Sequence, residues 1–526
     1  MNLFKASATI GAFTFLSRLT GLARDMLMAS ILGTGMVADA FFVAFRLPSL
    51  FRRLFAEGAF SSAFVPIFSS LLRRDGRDAA RHAEGVLAAR RFAEEALAAL
   101  ALVLLALLAI FEIFMPWLML GLAPGFVSDP PKFDLAVELT RITFPYLVFV
   151  SLVSLMGGVL NSLGRFAAQA AAPILLNVAL VGVLLIFRDH IAANGHALAW
   201  GVFAAGVLQL GGMLFACWRA GFVLRPRWPR LTKPVRELGR LLVPGVIGSS
   251  AAQVNIAVDI IIASLLPTGS VSYLFYADRL VQLPLGAVGV AVGTALLPLL
   301  ARQLSAGDQS GAMHSLNRAI ELVLLLCVPA TVALMIAGQP IVEVLFERDQ
   351  FTAASTSATA AAVVAFAVGL PAYVLIKALS PAFFARKDTR TPVQVAVFAL
   401  ALNVVLNLAL MGPLLHVGLA LATALSAWVN AIALALILRR RGHLTFDARL
   451  VRSAWRGAIA VAIMGAAVWA AVAYAPPDVF DGDGVSQWLG LAVIVALGLG
   501  VYGLALQLLG VATLGDLRQM ARRPKG

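Results

Sequence analysis

Long apolar runs separated by short polar stretches dominate this chain. A helix crossing a bilayer needs about 20 mostly apolar residues. On that criterion the runs predict about fourteen spanning helices. They lie near residues 7–33, 37–70, 88–115, 134–163, 166–188, 196–219, 238–266, 271–303, 314–338, 353–385, 391–411, 415–438, 452–475 and 486–510. The longest polar gaps, 71–87 and 220–237, leave no room for a soluble domain. The pattern therefore predicts an all-α polytopic membrane protein.

The polar gaps alternate in charge. One set holds Arg73, Arg74, Arg77 and Arg81, then Arg225, Arg227, Arg230, Lys233 and Arg236. It continues through Arg302, Arg386, Lys387, Arg390, Arg439, Arg440, Arg441 and Arg449 to the tail residues Arg518, Arg522, Arg523 and Lys525. The other set holds Asp129, Asp134, Asp189, Glu343, Glu347, Asp349, Asp478, Asp481 and Asp483, with few cations. Short cytoplasmic loops are the Lys/Arg-rich ones. Both termini are thus expected on the cytoplasmic side of the membrane.

Composition sharpens this reading. Of 526 residues, 61% are hydrophobic and 13% charged, and mean hydropathy is +0.91. Soluble globular domains are about 45–50% apolar and about 25% charged, so a soluble enzyme and a disordered protein are excluded. The net charge of +14 is diluted in apolar sequence and does not point to nucleic acid. Cys217 and Cys327 each lie alone in an apolar run, without disulfide or metal spacing. The N-terminal run is interrupted by Arg18, Arg24 and Asp25, which suits a retained helix better than a cleaved signal.

The first twelve spans repeat internally with an offset of about 225 residues. Phe144-Pro145-Tyr146 returns as Leu370-Pro371-Ala372-Tyr373, and Asn177-Val178-Ala179-Leu180 as Asn403-Val404-Val405-Leu406. His196 and His416 open the sixth and twelfth spans. An even number of spans per repeat gives both halves one orientation, hence a pseudo-twofold axis along the membrane normal. The expected divisions are a six-helix lobe over 1–222, a second over 223–442, and two extra spans with a basic tail over 443–526. Two lobes around a midplane cavity favour a transporter.

Charges inside spans are costly and face a cavity or a partner. Span one carries Arg18, Arg24 and Asp25, with Arg18 and Asp25 on one helix face. Span two carries Asp39, Arg46 and Arg53 in one stripe, with Glu57 a turn further and Arg52 beside it; Pro48 and Gly58 predict a broken helix. Span eight carries Asp278 and Arg279. Three readings are open for these arginines: internal salt bridges, snorkelling to headgroups, and an anion site, because guanidinium matches phosphate geometry and stays charged. The anion site suits Arg24 and Arg279, one from each half; pairing suits Arg46 and Arg53. A second set, Asp259, Asn403, Asn407 and Thr423, offers hard oxygens at similar depth. It suits either a monovalent cation or ordinary interhelical polar contacts. The histidines form no HExxH pattern, and no nucleophile or phosphate-loop motif is present; an enzyme is not expected.

Three segments carry a family likeness. They are Gly21-Leu22-Ala23-Arg24-Asp25; the stretch from Ala38-Asp39-Ala40-Phe41-Phe42 through Pro48 to Arg52-Arg53-Leu54-Phe55-Ala56-Glu57-Gly58-Ala59-Phe60; and Tyr276-Ala277-Asp278-Arg279-Leu280 with Gln282-Leu283-Pro284-Leu285-Gly286. Together they resemble the MurJ (MviN) family of bacterial lipid II flippases, along essentially the whole chain. The resemblance implies the MOP-exporter fold, two six-helix lobes plus two C-terminal helices, working by alternating access. It implies transfer of lipid II, the undecaprenyl-pyrophosphate-linked disaccharide-pentapeptide of peptidoglycan synthesis, from the inner to the outer leaflet. It implies substrate-binding roles for Arg18, Arg24, Asp25, Asp39, Arg52 and Arg279, and a groove for the polyprenyl tail on the extra spans. It also implies a sodium site at Asp259, Asn403, Asn407, Thr423 and the Leu419 carbonyl, with Asn407 where a relative has an acid. Membrane lipids and cell-wall synthesis proteins are the implied partners. Two other readings remain: a flippase for another polyprenyl-pyrophosphate glycan, and a multidrug exporter of the same fold, which would favour an acidic rather than an arginine-lined site.

Overall fold

The computed structural model describes residues 3–55, 59–72, 79–188, 195–475 and 484–511. Glu57, Gly58, Arg73, Arg74, Arg77, Asp189, Asp478, Asp481, Asp483 and the tail cations fall outside the described residues, as do the side chains of Arg53 and Arg81. The described residues are helical in sixteen α-helices and one short 3-10 turn, Pro124–Ser128. In chain order these are α1 (Leu3–Leu32), α2 (Met36–Phe55), α3 (Ala59–Leu72), α4 (Ala79–Ile113), α5 (Met115–Leu122), α6 (Pro130–Thr143), α7 (Tyr146–Ser162) and α8 (Ala167–Ile186). They continue with α9 (His196–Arg219), α10 (Lys233–Ser264), α11 (Ser270–Ser305), α12 (Gln309–Phe346), α13 (Ala353–Phe384), α14 (Arg390–Arg440), α15 (Ala448–Ala473) and α16 (Gly484–Leu508).

Among the described residues, nine helical stretches are long and apolar enough to cross a membrane, with α6 and α7 forming one of them. The 51-residue α14 contains two spans. Leu415 turns the chain with φ 49° and ψ −132°, and Asn403 reaches Thr423, 20 residues on, so the two segments lie side by side. Gly418 is needed at that turn, because a Cβ there would meet the Leu410 carbonyl oxygen at 2.4 Å. The remaining expected spans coincide with α1, α2 with α3, α10 and α11; each carries an in-span charge, Arg24 and Asp25 on α1, Asp39 on α2, Asp259 on α10 and Arg279 on α11. Pro48 lies within α2, and the break expected at Gly58 lies outside the described residues.

Packing separates two compact units. One comprises Met1–Ser272 with Asp349–Phe351, the other Tyr273–Arg348 with Thr352–Gly526. The helix α10, which the repeat places in the second half, packs in the first unit against α2, α3, α4 and α5. In that unit α1 lies on α8, α2 on α6 and α7, and α9 on α6, α7 and α8. Its core is aromatic: Phe64 stacks on Phe68 and Phe92 at 5.5 and 5.2 Å, and Phe222 meets Phe68 edge-on at 5.6 Å. Gly158 clears space for Phe64, which a Cβ would approach to 3.2 Å. In the second unit α12, α13 and α14 pack in sequence, and α15 and α16 pack on α12. Tyr502 of α16 donates from its hydroxyl to the Leu325 carbonyl at 2.7 Å, tying the C-terminal pair to α12. Cys217 and Cys327 are free and buried.

The repeat is visible as a repeated contact. His196 opens α9 and bonds through Nε2 to Glu138, 58 residues earlier, at 3.0 Å. His416 opens the second half of α14 and bonds to the Ala358 carbonyl, again 58 residues earlier, at 2.9 Å. The halves thus keep one interhelical register while the accepting group differs.

Basic loop residues also clamp helix ends. Asp388 accepts from the Thr391 amide at 3.0 Å, the Thr391 hydroxyl at 2.6 Å and Arg441 Nη1 at 2.6 Å. It thereby closes both ends of α14. These bonds, the Thr391 hydroxyl first, hold its carboxyl well below the usual carboxylate range. A group lowered in this way stabilises the fold above its ordinary value of about 4 and loses the effect as pH falls through the lowered value. Hydrogen bonds to charged groups contribute about 1.5–3 kcal/mol each when buried, and less at this partly exposed site. Asp388→Ala is expected to lower the thermal midpoint of the detergent-solubilised protein by a few degrees at pH 7. The gap to the parent should narrow as the pH is lowered below about 4; a gap independent of pH would contradict the clamp.

Candidate functional site

Several charged residues of the spanning helices form local clusters among the described residues. The first joins α1 and α8. Arg24 is buried, 5% exposed. Its Nε and Nη2 donate to Asp25 Oδ1 at 3.0 and 2.6 Å, and its Nη1 donates to Asn177 Oδ1 at 2.9 Å. The guanidinium carbon lies 5.9 Å from the centre of the Phe45 ring. Asn177 completes the cluster by donating from Nδ2 to the Ser17 carbonyl at 3.0 Å and to Thr20 Oγ1 at 3.1 Å. Gly21 permits this approach, since a Cβ there would come within 3.4 Å of the Asn177 amide nitrogen. Arg24 and Asp25 adjoin in sequence, and the long guanidinium arm curls back to the neighbouring carboxylate although their Cα–Cβ bonds diverge. Arg18 lies half-buried further along α1, and Arg52 half-buried on α2.

The second place is the N-terminal end of α2. Asp39 is 1% exposed and accepts four hydrogen bonds. They come from Lys132 Nζ at 2.9 Å, the Gly269 amide at 2.8 Å, the Ser272 amide at 3.0 Å and the Ser272 hydroxyl at 2.6 Å. Lys132 is itself buried, donates also to Thr268 Oγ1 at 3.2 Å and lies 4.2 Å over the Phe126 ring. Asp39 also sits in the first turn of α2, where the helix dipole favours a negative charge. The partner of Asp39 is therefore Lys132 of α6 rather than Arg46 of its own stripe. Lys132 was not singled out from sequence. Its signal was slight: a lone cation in an acidic loop, in the first turn of a helix where a positive charge is unfavourable.

The third place is α11 in the second unit. Arg279 is half-buried and stacks over Phe275 at 4.9 Å. Asp278 accepts from Gln282 Nε2 at 2.5 Å. Tyr276 is fully buried beside Phe346, ring centres 5.2 Å apart, which fixes the rotation of this helix.

The oxygen set expected to suit a cation is joined in part. Asn407 Nδ2 donates to Asn403 Oδ1 at 3.0 Å, Asn403 Nδ2 to Thr423 Oγ1 at 3.4 Å, and Thr423 Oγ1 to the Leu419 carbonyl at 3.0 Å. All four belong to α14. Amide, hydroxyl and carbonyl oxygens fit an alkali cation chemically. Asp259 belongs to α10 in the other unit, where it accepts from Asn255 Nδ2 at 3.2 Å.

These features define a class first: a multi-pass α-helical membrane transporter, with arginine and carboxylate pairs inside helices that must cross hydrocarbon. The fold resembles solved structures of that class. It matches "Lipid II flippase MurJ, inward closed conformation" with a TM-score of 0.78 over 98% of this chain and 99% of that one, at 23% identity. It matches a multidrug resistance MATE family transporter of the MOP superfamily with a TM-score of 0.65 over 82% and 97%, at 16% identity. The family profile described as "Lipid II flippase MurJ" matches residues 28–481. A "Probable lipid II flippase MurJ" of Rhizobium meliloti (strain 1021) is 44% identical over 99% of this chain and 97% of its own length. Another from Rhizobium tropici is 41% identical over 100% and 98%, and the "Lipid II flippase MurJ" of Burkholderia cenocepacia is 37% identical over 84% and 85%. This chain belongs to the MurJ family.

Asn177 touches both Arg24 and the α1 backbone, so it positions the arginine from α8. Asn177→Leu is expected to reduce transport about tenfold at unchanged membrane abundance, by leaving a buried charge one hydrogen bond short. Asn177→Gln should restore part of the rate. Full activity in the Leu variant would remove the positioning role.

Proposed function

We infer that this chain moves lipid II from the inner to the outer leaflet of the bacterial cytoplasmic membrane by alternating access. The observation that carries the reading is the occurrence of arginine within the spans of both halves, Arg18, Arg24 and Arg52 in one and Arg279 in the other, in a chain of the MurJ family. Guanidinium groups match the oxygens of a pyrophosphate and stay charged at any physiological pH. They hold that group while the polyprenyl tail stays in lipid. The chain acts as a transporter and catalyses no covalent step.

Asp25 has a definite part in this scheme. It occupies the Nε and Nη2 face of Arg24, the face a phosphate oxygen would use. It keeps the guanidinium neutralised in hydrocarbon when substrate is away, and a pyrophosphate with its larger charge displaces it. Binding is then an exchange of anions rather than the exposure of a bare charge, which the membrane interior would penalise by several kcal/mol. The cationic loops, facing the cytoplasm, set the orientation with both termini inside.

Arg24→Ala and Arg279→Ala are expected to reach the membrane in normal amount yet fail to support growth when no other flippase is present. Lipid II should then accumulate and not become exposed on the outer face. Growth and normal outer exposure in both variants would refute the reading. Sodium coupling through the α14 oxygen set is a further part of the proposal, supported by the convergence of Asn403, Asn407, Thr423 and the Leu419 carbonyl. Asn403→Leu should lower the transport rate and abolish any dependence of that rate on external sodium in proteoliposomes. A sodium-dependent rate retained in that variant would count against it.

A further inference from the structure

Lys377 is the sole charged residue among the 32 of α13. It stands seven residues before the helix ends at Phe384, about 10 Å into the span from its basic end, and its side chain is exposed. A lysine facing hydrocarbon at such depth is costly and rare. The side chain instead lies across α11 at Gly289, which is buried. A Cβ at Gly289 would come within 3.0 Å of Lys377 Cδ and 3.1 Å of its Nζ. The missing side chain on α11 is what lets the ammonium rest there. Lys377 is thereby placed on the helix that carries Arg279, ten residues further along, or about 15 Å by helix rise. Both residues belong to the second unit. Arg279 is half-buried and Lys377 exposed, so neither is sealed in the core.

The chemistry of the two cations differs. Arg279 presents a flat fork suited to two oxygens of one phosphate; Lys377 presents a compact point charge on a flexible stem, suited to a single carboxylate. Five peptide residues reach at most about 17 Å when extended. A carboxylate near the free end of a pentapeptide can therefore lie about 15 Å from a pyrophosphate held at Arg279.

We propose that Lys377 is a second anion-binding residue of the transport path, which takes a carboxylate of the substrate's peptide while Arg279 takes the pyrophosphate. The proposal rests on the lipid II reading given above. It makes the second unit a two-point gauge of the headgroup, with one contact for the carrier and another for the peptide. Carriers bearing pyrophosphate with a neutral glycan would satisfy the first contact alone. The same pair of cations would thus distinguish peptide-bearing from peptide-free carriers without a dedicated pocket for each residue of the peptide.

The test compares three ligands on the full-length protein in nanodiscs: lipid II, lipid II with its peptide carboxylates amidated, and undecaprenyl pyrophosphate. The parent should bind lipid II about tenfold more tightly than the amidated form, the ratio expected of one charge-assisted hydrogen bond in a partly solvated site. In Lys377→Gln that ratio should fall to about one, with affinity for undecaprenyl pyrophosphate unchanged, and Lys377→Arg should keep most of the discrimination. Arg279→Ala should weaken all three ligands. Equal loss of all three in Lys377→Gln would make Lys377 a pyrophosphate contact or a packing residue and overturn the proposal. Unchanged discrimination would overturn it as well. Thermal midpoints close to that of the parent guard against misfolding. Failure of the parent itself to bind lipid II would instead sink the functional reading on which the proposal rests.

Discussion

A charge inside hydrocarbon must be neutralised, hydrogen-bonded or turned toward water, because the membrane interior offers it nothing else. Much of this structure follows from meeting that demand. Arg24 meets it with Asp25 and Asn177, Asp39 with Lys132, Gly269 and Ser272. Each solution ties segments that are distant in sequence: α1 to α8 in one case, α2 to α6 and to residues 269–272 in the other. Apolar packing alone is weak at specifying partners, since lipid tails are as apolar as leucine.

The same demand shapes what the protein can do. Satisfied buried ion pairs contribute little net stability when both charges must be desolvated. In the function proposed above, their value is that they can be exchanged: a carboxylate held against an arginine gives way to a phosphate with little change in local charge, which would spread the cost of moving an anionic headgroup through the span over pre-existing pairs. Asp39, in the first turn of α2, is held differently. Four donors, two of them backbone amides, tie it to Lys132 of α6 and to residues 269–272, so its release requires several bonds to break together. The machinery joins charged helices, α1 and α2, to plainly apolar ones, α8 through Asn177 and α6 through Lys132.

The repeat shows how sequence and contact diverge. His196 and His416 keep the same 58-residue reach to their acceptors, which preserves the packing of equivalent spans. Asn177 and Asn403 also occupy equivalent places, yet Asn177 holds an arginine and Asn403 joins an oxygen cluster. A buried amide is a versatile partner, with two donors and an acceptor. Its neighbours differ between the two positions, so the two halves offer different chemistry from one repeat. The C-terminal pair, α15 and α16, attaches to the second unit through α12, where Arg318 pairs with Glu321 and with Asp447, the N-cap of α15.

What the sequence alone determined is what depends on local composition. Hydropathy marked the spans, loop arginines marked an orientation, and the arginines within α1, α2 and α11 stood out because their residue type conflicts with its surroundings. Helix periodicity could say which of these shared a face, and for Asp39, Arg46 and Arg53 it suggested partners along one helix. The tertiary structure decided otherwise: Asp39 is met by Lys132, 93 residues away, and Lys377 comes to lie on Gly289 of α11. Such pairings join residues far apart in the chain, and neither a lone lysine after two prolines nor one in an apolar run announces its partner. A charge advertises its own cost locally, but the group that offsets the cost is chosen by which helices fold side by side.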